Sequence, residues 1–308
     1  MIDHPHRYSE KEKTLRPLVS ENLPISIVIP AYNEETGICN QIEDLRRVVK
    51  LHSLEYELIV VDDGSDDATA EKAVQAGVRV LSHTENKGYG AALKTGIDAA
   101  ENDTVVIIDA DGTYPADVIP TLLEKAQKYD MVVAARTGEN VHIPLMRKPA
   151  KWVLQKLATY LAEKPIPDLN SGFRVIKKSI VKDFYSILPS GFSFTTTITL
   201  ALICNDYSIY YHPVEYRPRI GNSKIRPTDA YHFMLLILRT MVYFNPLKVF
   251  LPLGGILFII GLGKFIYDLF LMNLSESAIM GFLGAFVIWA IGLLADQIAR
   301  VGLGSRSK

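Results

Sequence analysis

Two charge-free runs near the C-terminus constrain this chain more than any other feature. Val249–Gly263 is 15 residues without a charge, and Ser277–Ala295 is 19. The second is long enough to cross a hydrocarbon core of about 30 Å as a helix. The first reaches that length when continued through Lys264 to about Met272. Lys264 then lies ~22 Å along the helix at ~1.5 Å per residue, placed to snorkel to the far interface. Asp268, four residues on, faces it as a partner. A long helix buried in a soluble core is the alternative, and two such runs in tandem argue against it. The sequence predicts a transmembrane hairpin over 248–299. Its glycines, Gly254, Gly255, Gly261 and Gly263, permit close helix packing and a homo-oligomer without demanding one.

Charge sets the orientation. The Asn273–Ser277 connection carries no Lys or Arg, whereas Arg239 and Lys248 precede the first helix and Arg300, Arg306 and Lys308 follow the second. The positive-inside rule places both ends, including the 300–308 tail, in the cytoplasm. Residues 1–24 read as a flexible polar arm with no secretory signal, which keeps the N-terminal part cytoplasmic as well. Cys39 and Cys204 are too few for a disulfide framework, in keeping with a reducing compartment. A total of 33 basic against 34 acidic side chains gives a net charge of −1. That balance argues against a nucleic-acid partner. Between hairpin and N-terminal region, 228–247 holds two apolar clusters interrupted by Arg239. It reads as a helix in the membrane interface ended by Asn245-Pro246, a core helix of the preceding domain being the other reading.

From 25 to about 135, short Val- and Ile-rich runs alternate with longer mixed segments. Ile25–Ile29, Glu57–Val61, Val78–Leu81, Thr104–Ile108 and Met131–Ala134 read as buried strands. Glu35–Leu51, Asp67–Gln75, Gly88–Ala100 and Ala116–Tyr129 read as helices between them. The alternation predicts an α/β domain over 25–227, its mostly parallel sheet covered on both faces. Ligands of such sheets bind at the carboxyl ends of the strands. Those ends are acidic here: Pro30-Ala31-Tyr32-Asn33-Glu34 follows the first, Asp62-Asp63-Gly64-Ser65 the second, and Asp109-Ala110-Asp111 the fourth. One such Asp is often just a helix cap, but three acidic strand ends in one sheet point to a site.

Asp109 and Asp111, two apart in an extended segment, project to one side and suit Mg²⁺ or Mn²⁺ completed by substrate phosphates. A diphosphate, hence a nucleotide, is the implied substrate, with the metal neutralising charge on the departing group. Lys87-Gly88-Tyr89-Gly90 lacks the G-K-[ST] ending of a Walker A loop, so an ATPase is excluded. His83, His142 and His212 have no zinc spacing and read as ordinary loop or strand-end residues.

With these elements in place, the chain resembles the family 2 glycosyltransferases of GT-A (Rossmann-like) fold. The likeness is to the branch of dolichol-phosphate mannose synthase and the bacterial polyprenyl-phosphate glucosyltransferases. The matching motifs are P-A-Y-N-E at Pro30–Glu34, V-D-D-G-S-D-D-A-T at Val61–Thr69, N-K-G-Y-G-A-A-L at Asn86–Leu93 and D-A-D-G-T-Y-P at Asp109–Pro115. D-L-N-S-G-F-R at Asp168–Arg174 and G-N-S-K at Gly221–Lys224 follow in order, and a C-terminal hairpin is a feature of that branch.

The resemblance implies that Pro30, Tyr32, Glu34, Val61 and Asp63 hold the nucleoside. It implies that Asp109, Asp111 and Thr113, the last where relatives often carry another polar residue, hold the metal, with Ala110 lining the site. Arg136 matches a position near the donor sugar or phosphates, with a surface ion pair as the plainer reading. Arg217, Arg219 and Lys224 precede the membrane segment and clamp phosphate oxygens or attract anionic headgroups, Arg219 being the stronger candidate. Thr195, Thr196 and Thr197 stand where many relatives carry an acidic residue.

The implied reaction is inverting transfer of a hexose from a UDP- or GDP-sugar to a polyprenyl (dolichyl or undecaprenyl) phosphate in the bilayer. A phosphate monoester, with a second pKa near ~6, needs no general base. The competing readings are a glycosyltransferase acting on a lipid or polysaccharide hydroxyl, which does need one, and a non-catalytic membrane scaffold. A processive polysaccharide synthase is disfavoured by the lack of a Q-x-x-R-W motif.

Overall fold

A computed structural model describes residues 24–137, 166–216, 245–272 and 275–304, with isolated helical positions at 159, 235, 238, 239 and 241–243. The polar arm up to residue 23, His142, Arg217, Arg219 and the Gly221–Lys224 motif lie outside the described residues.

Seven strands form one sheet: β1 (Ile25–Ala31), β2 (Tyr56–Asp62), β3 (Arg79–Ser82), β4 (Thr104–Ile107), β5 (Met131–Arg136), β6 (Arg174–Lys177) and β7 (Ile209–Val214). Their spatial order is β3-β2-β1-β4-β6-β5-β7. β6 alone runs antiparallel, pairing with β4 on one side and β5 on the other, so the sheet is mixed and mostly parallel. The central strands are rich in Val and Ile because both faces are covered, whereas the edge strands β3 and β7 are partly exposed. All seven residues of β1 are buried.

Helices α1 (Ile38–Leu51), α2 (Thr69–Gln75), α3 (Tyr89–Ala99), α4 (Ile119–Ala126), α5 (Lys178–Asp183) and α6 (Phe194–Cys204) supply the two outer layers. One core joins Ile38, Ile42, Leu45 and Val49 of α1 and Leu122 of α4 to Ile27, Ile29 and Val106 of the sheet. The opposite core joins Leu93 and Ile97 of α3, Val181 of α5 and Ile198 and Leu202 of α6 to Val28, Ile59 and Ile107. Each large aliphatic side chain so buried contributes about 1.5–3 kcal/mol. Some expected bounds shift. The first helix starts at Ile38 because Glu34–Gly37 form a turn, Ile38 N–H and Gly37 N–H both donating to Glu34 O. The Ala116–Tyr129 helix is a 3-10 turn at Ala116–Val118 followed by α4.

The C-terminal hairpin consists of α7 (Leu247–Phe270) and α8 (Glu276–Gly304). Phe250 meets Gly292, Gly254 meets Trp289 and Gly261 meets Gly281, so the helices run antiparallel with glycines admitting close approach. A Cβ on Gly281 would lie 2.8 Å from the Gly261 backbone. Trp289 Nε1–H donates to Leu251 O at 3.2 Å. Gly255 and Gly263 have open space instead. The outward faces are apolar and unshielded: Ile259 is 68% and Phe270 84% exposed. That is the inverse of a soluble core and fits a lipid solvent. Lys264 pairs with Asp268 as the spacing predicts, and Asp268 also accepts from the Ser275 hydroxyl and backbone N–H, tying the turn to the start of α8. Within 228–247, Met241 is buried beside Ile166 and Leu200, with Leu238 and Val249 packed against them. This portion thus packs on the α/β domain, whereas Leu235 is exposed.

Candidate active site

A cavity of about 480 Å³ opens at the carboxyl ends of β1, β2 and β4. One wall comes from the loops after those strands: Pro30, Ala31, Tyr32, Glu34, Asp63, Asp109, Ala110 and Asp111. The facing wall comes from the opposite half of the sheet and α6: Arg136, Asn170, Gly172, Gly191, Phe192, Thr195 and Tyr216.

The first wall is laced together by its own loops. Asn33, in the left-handed region at φ 53, donates its N–H to Ser65 Oγ at 2.9 Å and accepts from Asp66 N–H through Oδ1 at 2.9 Å. Glu34 N–H donates to Thr69 Oγ1 at 2.8 Å. Asn tolerates that backbone conformation better than most residues, and the crossed bonds fix Tyr32 and Glu34 at the rim.

Asp63, 3% exposed, is more tightly held. Its carboxylate accepts from Lys87 N–H at 3.0 Å and Gly88 N–H at 2.8 Å, and contacts His83 Nδ1 at 2.6 Å. His83 Nε2 reaches Thr95 Oγ1 at 2.9 Å. The loop can present both amides because Gly88 adopts φ +98, and a Cβ there would lie 2.6 Å from Ser190 O. His83, read from the sequence as an ordinary loop residue, is thus a partner of a site carboxylate. Its neighbouring motif N-K-G-Y-G was the available signal.

Asp109 and Asp111 both line the cavity, though the segment between them is a turn rather than extended strand, closed by Gly112 at φ +70. Asp109 Oδ1 accepts from the Tyr89 hydroxyl at 3.0 Å. Burial, and then the Asp109 charge, push the Tyr89 phenol well above its usual pKa, so it remains a donor. On the other side Gly172 makes room for Asp109: a Cβ there would sit 2.1 Å from Asp109 Oδ2. Tyr114 holds that glycine in place, its hydroxyl accepting from Gly172 N–H at 2.9 Å.

Asp111 Oδ1 accepts from Thr113 N–H at 3.1 Å and Thr113 Oγ1 at 2.6 Å. Thr113 is 1% exposed and sits behind Asp111, off the cavity wall, because the turn aims its hydroxyl back at the carboxylate. Val61, expected at the nucleoside, is also off the wall. Strand alternation sends its side chain into the core, where it packs on α3 beside Gly96. Among the described residues, no three His, Cys, Asp or Glu side chains converge into a metal cage. Two hard carboxylates with room beside them fit Mg²⁺ or Mn²⁺, which keep open positions for phosphate oxygens.

The second wall is built by long-range contacts. Arg136 binds Asp168 through Nε to Oδ2 at 2.7 Å and Nη2 to Oδ1 at 2.9 Å, and its backbone N–H adds a third bond at 3.0 Å. Its guanidinium also lies 5.4 Å from the Tyr216 ring centre. Burial pushes the Asp168 carboxyl up, but the Arg136 bonds and charge and the Asn170 amide outweigh it and hold the pKa below its usual value. Arg136 therefore lines the cavity and is ion-paired with Asp168, in a pair more buried than a surface one.

Arg174 is fully buried and donates to Ser171 O at 2.6 Å, Thr195 O at 3.2 Å and Thr199 Oγ1 at 3.0 Å. Phe192, 59% exposed, stacks on Tyr89 at 5.5 Å across the mouth. Sequence reasoning gave no roles to Tyr89, Asn170, Phe192 or Tyr216. Tyr89 and Asn170 lie in quoted motifs, while Phe192 and Tyr216 carry no sequence signal beyond being aromatic.

A mostly parallel sheet with acidic strand ends and a cavity against them is the framework of a GT-A glycosyltransferase. The chain belongs to glycosyl transferase family 2, whose family model matches residues 26–184. A second family model, the GtrB C-terminal hairpin, matches 245–301. Bactoprenol glucosyl transferase of Shigella phage SfII is 30% identical over 302 residues, covering 91% of this chain and 94% of that protein. Dolichyl-phosphate hexose transferase of Haloferax volcanii is 30% identical over 205 residues, covering 66% and 87%. Among solved structures, glucosyl-3-phosphoglycerate synthase of Mycobacterium tuberculosis, in complex with Mn²⁺, UDP and its product, matches with a TM-score of 0.56 at 23% identity. The match covers 70% of this chain and 79% of that one.

Proposed function

We propose that this protein transfers a hexose from a nucleotide diphosphate sugar to a polyprenyl monophosphate held in the membrane. The observation that carries this reading is the asymmetry of the cavity. Glu34, Asp63, Asp109 and Asp111 stand on one wall, and the facing wall has no carboxylate among the described residues. A hydroxyl acceptor needs a general base there. A phosphate monoester, largely ionised at neutral pH, attacks without one. The hairpin, and relatives named as transferases to dolichyl phosphate and bactoprenol, support a lipid-borne acceptor.

In this reading Pro30, Tyr32, Glu34 and Asp63 bind the nucleoside, His83 orients Asp63, and Ala110 lines the sugar's approach. Asp109 and Asp111 hold Mg²⁺ or Mn²⁺, with Tyr89 and Thr113 fixing the two carboxylates. The metal, when bound, offsets the charge that grows on the departing diphosphate. An oxygen of the acceptor phosphate attacks the anomeric carbon from the face opposite that diphosphate, inverting the centre. Catalysis is then positioning plus electrostatic stabilisation. Arg136, held by Asp168, presents its guanidinium to phosphate oxygens; the resemblance gives Arg219 and Lys224 a phosphate-binding role as well.

UDP is the favoured nucleotide. The domains divide as 25–227, 228–247, 248–299 and 300–308, with the catalytic domain and both termini cytoplasmic on the charge asymmetry.

The test is transfer of labelled hexose from a panel of UDP- and GDP-sugars to short polyprenyl phosphate, with Mg²⁺ or Mn²⁺ and with EDTA. Acid-labile lipid label that EDTA abolishes, and that falls at least ~1,000-fold in Asp111→Ala, is expected for loss of a metal carboxylate. Label in an acid-stable glycolipid would move the acceptor to a hydroxyl. Nucleotide binding with no turnover on any donor would favour the scaffold.

A further inference from the structure

The four threonines of α6 differ in what their hydroxyls do. Thr197 Oγ1 donates to Ser193 O at 2.9 Å and Thr199 Oγ1 to Thr195 O at 2.7 Å, both turned back along the helix. Thr196 donates to Asn170 Oδ1. Thr195, in the first turn, lines the cavity and is 3% exposed, yet its hydroxyl has no hydrogen-bond partner among the described residues. Asn170 also lines the cavity. With its Oδ1 occupied by Thr196, the Asn170 carboxamide offers the cavity its two Nδ2 hydrogens.

Two features behind these groups favour negative charge, and the nearby Asp168 carboxylate is itself paired with Arg136. The N-terminus of α6 has no side-chain cap, which leaves the positive end of an 11-residue helix at the cavity. Arg174, fully buried and permanently cationic, lies directly beneath. Its hydrogen-bond partners among the described residues are carbonyls, a hydroxyl and the Met131 sulfur, with no carboxylate. A sugar hydroxyl both donates and accepts, whereas donors backed by a cation with no hydrogen-bonded carboxylate are matched by an anion.

We propose that Thr195 Oγ1 and Asn170 Nδ2 form the seat of the attacking phosphate of the acceptor. The inference rests on the polyprenyl phosphate reading above and adds where that phosphate docks. With one of its oxygens held by these donors, another forms the new bond to the anomeric carbon. The bond from that carbon to the donor diphosphate breaks, and its electron pair leaves with the diphosphate. No proton moves, so neutral residues suffice where a hydroxyl acceptor would demand a carboxylate.

The experiment measures KM separately for the nucleotide sugar and for undecaprenyl phosphate in detergent micelles, in full-length wild type, Thr195→Val, Thr195→Ser and Asn170→Asp. Thr195→Val removes only the hydroxyl and is expected to raise the acceptor KM about tenfold, as losing a hydrogen bond to a charged group does. The donor KM should stay within about twofold of wild type. Thr195→Ser restores the acceptor KM, and Asn170→Asp, which puts a negative charge in the seat, raises it more than Thr195→Val does. A rise in donor KM with the acceptor KM unchanged would assign Thr195 to the sugar and overturn the proposal, as would no change in either. Wild type that transfers nothing to the lipid phosphate would bring down the broader reading and the seat together. Wild type that turns over while the variants match it would bring down the seat alone.

Discussion

In the parallel half of the sheet, β1, β2 and β4 run into carboxylates that neighbouring loops hold through backbone amides and hydroxyls. Asp63 is fastened by residues 83–88, and Asp111 by Thr113, two residues away. In the other half, β5, β6 and α6 present cations and neutral donors, as in Arg136 paired with Asp168 and Arg174 bonded to Thr195. The two halves thus differ in charge: carboxylates suit a metal and a nucleoside, whereas cations and neutral donors suit a phosphate.

The sharpest way to break this division is to make the two walls collide. Gly172→Ala puts a Cβ where Asp109 Oδ2 now sits, 2.1 Å away, and must push the carboxylate aside. A fall in kcat/KM of about 100-fold is expected, as for an ångström-scale misplacement of a catalytic group. Far-UV circular dichroism should remain unchanged.

Next in size is Asp168→Ala. It leaves the half-buried Arg136 guanidinium without its carboxylate and should cost ~3 kcal/mol of stability in denaturant titration. This pair also gives a pH signature. Because the folded Asp168 pKa is depressed, its contribution is present above the unfolded value of about 3.9 and is lost as pH falls through the lower folded value. The gap in melting temperature between wild type and Asp168→Asn should therefore be widest near neutrality and close below about pH 4.

The smallest effect belongs to His83. His83→Ala frees one side of Asp63 and should raise the donor KM about tenfold with kcat little changed. His83→Asn, whose amide N–H overlies Nδ1, should recover most of it. Equal behaviour of the two variants would show that His83 only fills space.

The donor half was the more legible in sequence. Asp63, Asp109 and Asp111 sit at strand ends flagged by Val/Ile runs, and Lys87, Gly88 and Tyr89, which hold the first two, lie in a quoted motif of their own. Val61 belongs to a motif that records adjacency in the chain, while the alternation of the strand turns its side chain into the core. Thr113 gives its hydroxyl to Asp111. Across the cavity, β6 is four residues long and antiparallel, and no periodicity announces that Arg174 will insert under α6. The threonines registered in sequence only as a missing acid, and their separate partners became visible with the packing. The hairpin is legible as two apolar runs, since solvation by lipid imposes its requirement along the span, though its second helix continues to Gly304, past the expected 299.

That hairpin also changes the kinetics this enzyme should obey. Anchored through α7 and α8, the cavity meets its donor from three dimensions but its lipid acceptor from two. Encounter with the acceptor then depends on how many acceptor molecules share each unit of bilayer area, and on how fast they drift laterally. Diluting the vesicles with buffer leaves that number unchanged, whereas diluting the acceptor with inert phospholipid lowers it. The membrane thus acts as a concentrator for one substrate only, and the composition of the surrounding lipid becomes a control on rate.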